Sequence, residues 1–380
     1  MFDELNPDVL RRRPGVKWSA VAPGVLPAWI ADMDFPVPQA VRDVLAGTDD
    51  LGYPAWDDQP WLNPLRDAFA ERMKRRYDAT FDPAHVRLFT ELIQSLQVTL
   101  HVATKPGDAV AMHTPAYSPF LQTLQDMGRR LVPIPMLDDG DGWGFDPERL
   151  AADVARHGCR ALILVNPHNP TGRVFGRDEL AVIAEIAERH DLLVISDEIH
   201  SDLTYDPHRH IPFASLGPEA AGRTVTMTSA SKAFNLAGLR CSVAHLGDAR
   251  VRDALAAQPP LLFGEVSSLS VLATLAAWRD GDDWLAEVRA TLDGNRHLIA
   301  ESLPAGVRFH LPEATYLAWL DFRGLDLGPD PAAHLLERAN VKLSSGPSFG
   351  PGGEGYARLN FATSGPILQE MLHRLRQAIA

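Results

Sequence analysis

Between residues 109 and 246 one pattern repeats: a short apolar run, then a stretch with helical periodicity. The runs cover residues 109–113, 161–166, 192–196, 224–228 and 241–246. Most are rich in Val, Ile and Leu with little polar alternation, which is how strands buried on both faces read. Between them, residues 177–189 predict an amphipathic helix with Leu180, Ile183, Ile186 and Ala187 on one face. Residues 120–127 predict a shorter helix stopped by Gly128. Alternation of this kind implies an α/β fold, an open and mostly parallel sheet covered by crossover helices.

The ends of the chain read differently. Residues 1–45 are Pro-rich and irregular, with Trp18, Trp29 and Phe35 as candidate anchors. After the Pro259-Pro260 break comes a helical stretch over 267–300, interrupted near Gly281. Strands over 316–322 and 357–361 and a terminal helix from Pro366 follow. The expected organisation is a large domain over 46–260 and a smaller α+β domain over 261–380, completed by the N-terminal segment 1–45.

Bulk properties exclude several functions. A formal charge of −13 and the lack of a basic block with interleaved aromatics argue against nucleic acid. Arg11-Arg12-Arg13 and Lys74-Arg75-Arg76 are short and read as solvated faces. No run approaches the ~18 apolar residues of a membrane span, and the first residues carry acids and no apolar core. Cys159 and Cys241, far apart in the chain, fit reduced thiols of a cytoplasmic protein. Cys-x-x-Cys and His-Glu-x-x-His are absent, so no metal site is expected.

In an open parallel sheet, ligands sit at the carboxyl ends of the strands. Three of these ends carry polar groups. Residues 161–165 lead into Asn166-Pro167-His168-Asn169-Pro170-Thr171-Gly172, a rigid turn whose Asn169 amide can face a ligand. Alone, Asn169 also fits an ordinary turn asparagine. Residues 192–195 precede Ser196-Asp197-Glu198-Ile199-His200. Asp197 is expected to be desolvated there and to want a cationic partner, either an Arg or Lys or a protonated cofactor nitrogen. Residues 224–228 deliver Ser229, Ser231 and Lys232; hydroxyls beside turn amides suit phosphate, and Arg240 can clamp it. Only five of the 36 basic residues are lysines. A desolvated Lys, unlike Arg, can lose its proton and act as an amine nucleophile.

These segments together resemble the aspartate-aminotransferase fold of pyridoxal-phosphate enzymes. Lys17-Trp18, the segment from Pro27 through Ala31-Asp32-Met33-Asp34-Phe35, Gly52-Tyr53-Pro54 and Thr114-Pro115-Ala116-Tyr117 narrow the likeness. They resemble the MalY/PatB branch of cystathionine β-lyases and cysteine-conjugate carbon–sulfur lyases. Ala314-Thr315-Tyr316-Leu317-Ala318-Trp319-Leu320-Asp321 and Arg358-Leu359-Asn360-Phe361 extend it to the C-terminal part.

The resemblance implies roles. Lys232 forms a Schiff base with pyridoxal 5'-phosphate, Asp197 bonds the pyridinium nitrogen, Asn169 faces the phenolic oxygen and Tyr117 stacks on the ring. His200 stands near that oxygen. Ser229, Ser231 and Arg240 hold the phosphate, with Tyr53 reaching across from the partner subunit of a homodimer. Arg358 binds the substrate's α-carboxylate, and Asp32, Tyr53, Trp56, Tyr117 and Phe263-Gly264-Glu265 form the side-chain pocket. One segment departs from the family's frequent Gly-Val-Val: here Thr90-Glu91-Leu92-Ile93-Gln94-Ser95 stands at the phosphate loop. Backbone amides of Ile93 and Gln94 still serve if that turn opens a helix. Of the remaining histidines, most are expected at the surface.

The implied reaction is α,β-elimination from L-cystathionine or another L-cysteine S-conjugate. Transamination uses the same residues and is the enzymatic alternative; a regulator that keeps the fold is a third reading.

Overall fold

Eight strands lie side by side in the order Val86–Phe89, Ser242–Leu246, Thr224–Thr228, Leu193–Asp197, Ala161–Val165, Ala109–Thr114, Arg130–Asp138 and Trp143–Phe145. The five from Thr224–Thr228 to Arg130–Asp138 run parallel, and the flanking strands are antiparallel. Every residue of Ala109–Thr114, Ala161–Val165 and Leu193–Asp197 is buried, which explains their lack of polar alternation. Helices Leu92–Ala103, Ser118–Asp126 and Ala249–Ala256 supply the apolar core on one face. Helices Pro147–His157 and Arg177–Arg189 supply it on the other. This computed structural model describes every residue except Met1, Asp3, Pro260 and Ala380. The second proline of the expected break at Pro259-Pro260 therefore lies outside the described residues.

The helix expected over 120–127 starts earlier, at Ser118, because Pro119 fits its first turn. Strand Arg130–Asp138 has no counterpart in the sequence expectations, since Pro133 and Pro135 read as breaks. Trp143–Phe145 pairs only with residues 136–138, so both prolines lie where that side of the strand is a free edge.

A second sheet has the order Leu26–Ala28, Val341–Ser345, Tyr356–Asn360, Leu317–Asp321 and Arg308–Phe309. Leu26–Ala28 joins it in parallel, so the N-terminal segment completes a sheet otherwise built from the C-terminal third. The helical stretch expected over 267–300 forms helices Ser268–Asp280 and Asp282–Ser302, with the interruption at Gly281 as expected. A Cβ there would stand 2.5 Å from the Ala277 carbonyl and 2.8 Å from the Phe234 ring. Glycine thus lets the helix junction close on Phe234, two residues from Lys232.

One apolar cluster joins Ala230, Ala233 and Phe234 to Val271, Leu317 and Leu359. The lysine-bearing turn therefore rests on a core shared by both sheets, and emptying the fully buried Phe234 position to Ala costs about 3–5 kcal/mol. Leu65, Phe69 and Met73 belong to that cluster as well, so residues 64–77 pack with the C-terminal helices rather than against the large sheet alone.

Candidate active site

The strand ends converge as their order requires. Asp197 is the last residue of its strand and 5% exposed. Its Oδ1 accepts a hydrogen bond from the Ile199 amide at 3.0 Å, and no salt bridge reaches it among the described residues. Burial pushes its pKa up to about 7, and the neighbouring Glu198 adds to the rise while Ile199 and Lys232 oppose it. Asp197 is therefore a carboxylate that gains strongly from a cationic hydrogen-bond donor.

Ser229 caps the four-residue helix Ala230–Ala233, accepting from the Ser231 amide at 3.0 Å and donating to the Cys241 carbonyl at 2.6 Å. That turn aims Lys232 inward, where its Nζ donates to the Ala31 carbonyl at 2.7 Å. Burial lowers the pKa of the amine, with Asp32 opposing and Arg358 assisting. His200 is 2% exposed, and burial followed by the charges of Lys232 and Arg358 holds its pKa down to about 3. It is a neutral imidazole with a buried, unpartnered Nδ1.

Arg358 is 4% exposed. It donates to Asn169 Oδ1 at 2.9 Å, the Trp29 carbonyl at 3.0 Å and Ser344 Oγ at 3.2 Å, and its Nε has no partner. Burial lowers its pKa to about 10, so the guanidinium stays charged at neutral pH. No carboxylate pairs with it among the described residues. A buried cation with acceptors on one side and a free Nε suits a carboxylate ligand. Tyr117 caps helix Ser118–Asp126 and packs edge-on against Phe120, and burial raises its phenol pKa.

The turn at 90–94 does open a helix. Leu92–Ala103 begins there, with the first helical backbone bond from Ser95 to Glu91, so the Leu92, Ile93 and Gln94 amides point outward without acceptors among the described residues. The Gln94 side chain is itself engaged, accepting from the Thr90 amide at 2.8 Å and donating to the Phe263 carbonyl at 2.7 Å. Arg240 reaches the same place but is bonded to Glu91 at the helix cap. The three amides and Arg240 thus gather donors at one helix N-terminus, an arrangement suited to an anion such as phosphate.

Two expectations divide differently in space. Asp32 lies beside Lys232, next in sequence to the carbonyl that binds it. Trp56, Phe263, Gly264 and Glu265 instead line a separate cleft of about 410 Å³ with Asp57, Arg66 and Arg87. Tyr53 is 99% exposed and touches none of these groups within one chain. Most of the remaining histidines lie outside the core, as expected, while His113, His168, His210 and His245 are buried. His113 packs against Phe145 and Phe175, and burial lowers its pKa to about 4.

Sequence reasoning missed Tyr316, Asn235 and Asn360, all of which bond the backbone of residues 30–35. The available signal was spacing: Asn360 lies two residues beyond Arg358 on one strand, and hence on the same face.

The family model for aminotransferase class I and II matches residues 32–377. The chain belongs to this family. Cystathionine β-lyase PatB of Bacillus subtilis is 33% identical over 364 residues, covering 93% of this chain and 92% of that protein. Cystalysin from Treponema denticola, solved with pyridoxal 5'-phosphate, superposes with a TM-score of 0.90 at 26% identity, covering 100% of this chain and 98% of that one. The PLP-bound carbon–sulfur lyase of Staphylococcus hominis gives 0.89 at 29% identity, over 100% and 98% of the two chains. Within this aminotransferase family, the chain thus sits with proteins named for cleaving carbon–sulfur bonds.

Proposed function

We propose that the protein is a pyridoxal-phosphate-dependent carbon–sulfur β-lyase acting on L-cystathionine or another L-cysteine S-conjugate, releasing a thiol, pyruvate and ammonia. The observation that carries the reading is that the buried, unpaired Asp197 and the buried, carboxylate-free Arg358 both act on the charge of Lys232. Relatives named as cystathionine β-lyases and carbon–sulfur lyases support the class of reaction.

The residues present fit the cofactor. Lys232 would be its covalent anchor, Asp197 the acceptor for its ring N–H, Asn169 and His200 the neighbours of its phenolic oxygen and Tyr117 its stacking partner. The Ile93 and Gln94 amides, Ser231 and Arg240 would hold its phosphate, whereas the Ser229 hydroxyl, expected there, is already committed to the Cys241 carbonyl. When bound, the cofactor supplies a sink for the electron pair left at Cα. Arg358 fixes the substrate by its α-carboxylate. The Lys232 amine, whose pKa burial lowers, takes the proton from Cα. Lys232 or Tyr117 then hands a proton to the departing sulfur.

Tyr53, Leu51, Trp61, Leu62, Leu261 and Leu262 are exposed on one chain, which supports a homodimer in which Tyr53 reaches the partner's phosphate. A division into residues 1–45 with 261–380, and 46–260, describes the two sheets. No helix among the described residues is long and apolar enough to cross a membrane. The two buried cysteines, Cys159 and Cys241, are free thiols, which supports a reducing, cytoplasmic setting.

Borohydride reduction of the holoenzyme followed by peptide mass analysis should place the cofactor on Lys232. A panel of cysteine thioethers with thiol detection then identifies the substrate. Label on a different lysine, or no thiol from any member, overturns the reading.

A further inference from the structure

The segment Trp29 to Phe35 is neither helix nor strand over most of its length, yet each of its seven carbonyls accepts from a side chain. Trp29 O is held by Arg358 at 3.0 Å and by Ser344. Ile30 O and Asp32 O share the Asn360 amide at 2.6 and 2.7 Å, and Lys17 also reaches Asp32 O at 3.1 Å. Met33 O and Phe35 O share the Asn235 amide at 3.1 and 2.8 Å, and Arg13 holds Asp34 O at 2.7 Å. The remaining carbonyl, that of Ala31, accepts from Lys232 Nζ at 2.7 Å and from the buried Tyr316 hydroxyl at 2.9 Å. Irregular backbone in a buried setting is satisfied in this way only when many distant side chains agree on its position.

We propose that residues 29–35 form a rigid acceptor strip whose Ala31 carbonyl is the partner of the Lys232 amine whenever that amine is not bonded to the cofactor, aimed by Tyr316 and Asn360 as positioning residues. Asn360 grips the carbonyls on either side of Ala31, so the Ala31 peptide cannot rotate freely. Tyr316 occupies part of the same oxygen and fixes its direction. A neutral Lys232 amine donating one N–H to that oxygen has its lone pair turned away, into the site. On taking the Cα proton it becomes an ammonium and keeps the same bond. It returns to the neutral amine when the proton passes to sulfur. The strip thus holds one nitrogen in one place through both transfers, where a misplacement of about 1 Å would cost on the order of 100-fold in rate.

The proton transfers rest on the lyase reading, but the hydrogen bond does not, and the test separates them. In full-length protein stripped of cofactor, the rate of Lys232 acetylation by acetic anhydride is followed by peptide mass spectrometry against pH. Its midpoint reports the amine's pKa. Tyr316→Phe removes the competing donor, leaves Ala31 O freer for the ammonium, and should raise the midpoint by about 0.5–1 unit. Asn360→Ala releases the carbonyl from the amine and should lower the midpoint. Shifts of opposite sign support the strip; generic loosening of the site would move both the same way. Unchanged midpoints, or shifts of one sign, overturn the proposal and leave the lyase reading to stand on thiol and pyruvate release. Should Tyr316→Phe not fold, the Asn360→Ala midpoint decides alone: a fall supports the proposal, and no fall overturns it.

Discussion

Asp197 should destabilise the cofactor-free protein at alkaline pH, and its replacement by Asn should stabilise it. The carboxyl is buried without a cationic partner, and its pKa rises from 3.8 to about 7 on folding. The native state therefore binds a proton more tightly than the unfolded chain, and stability falls as pH climbs from about 4 to about 7. At about 1.4 kcal/mol per unit, the full penalty above pH 7 is on the order of 4 kcal/mol, shrinking to about 1.5 kcal/mol at pH 5. The substituted amide would keep an oxygen that accepts from Ile199, and it carries no charge. Chemical unfolding of cofactor-free wild type and Asp197→Asn at pH 5 and pH 8 gives the comparison. The variant should gain more at pH 8 by roughly 2–3 kcal/mol, while its affinity for pyridoxal phosphate drops. An equal gain at both pH values, or a loss at pH 8, would refute the picture of an ionised group held at a cost for a cationic ligand.

Other residues give distinct outcomes. Arg358→Lys keeps the charge but loses the forked donor set, so KM for an amino-acid substrate should rise by about 10–100-fold with a smaller change in kcat. Glu91→Gln removes the anion that binds Arg240 at the phosphate helix, and equilibrium dialysis should show cofactor binding tightened by about 3–10-fold, less so at high salt. Lys17→Ala leaves Asp34, 2% exposed and paired with Lys17 at 3.0 Å, without its cation; unfolding should show a loss of about 3–5 kcal/mol.

The parts of this fold that were legible in the sequence share one property: their environment is uniform. Residues 161–165 and 193–197 are buried on both faces, so composition alone marks them as strands, and the polar residue ending each run stands out. Asn169, Asp197 and Lys232 were found for that reason. Strand Arg130–Asp138 was not, because Pro133 and Pro135 are tolerated only where one side of the strand has no neighbour, and that is a tertiary fact. Tyr316, Asn235 and Asn360 escaped for a related reason. Their partners are backbone carbonyls between 200 and 330 positions away, and backbone carries no residue type to read. The buried histidines show the limit of composition, since a neutral imidazole packs against Phe145 and Phe175 as readily as it faces water.

Within one chain Asp32 lies beside Lys232, and the cleft lined by Trp56 and Phe263 is separate from it. If the homodimer forms as proposed, the partner's exposed loops complete the side-chain pocket beside Lys232, and substrate choice belongs to the pair of subunits.

The most direct test of the central claim is the yield of pyruvate from L-cystathionine with no keto acid present. The lyase account predicts many equivalents of pyruvate per active site, with an equal amount of thiol and no accumulation of the amino form of the cofactor. No pyruvate, with one equivalent of L-cystathionine consumed per site and the cofactor left as pyridoxamine phosphate, would contradict it and assign the site to transamination.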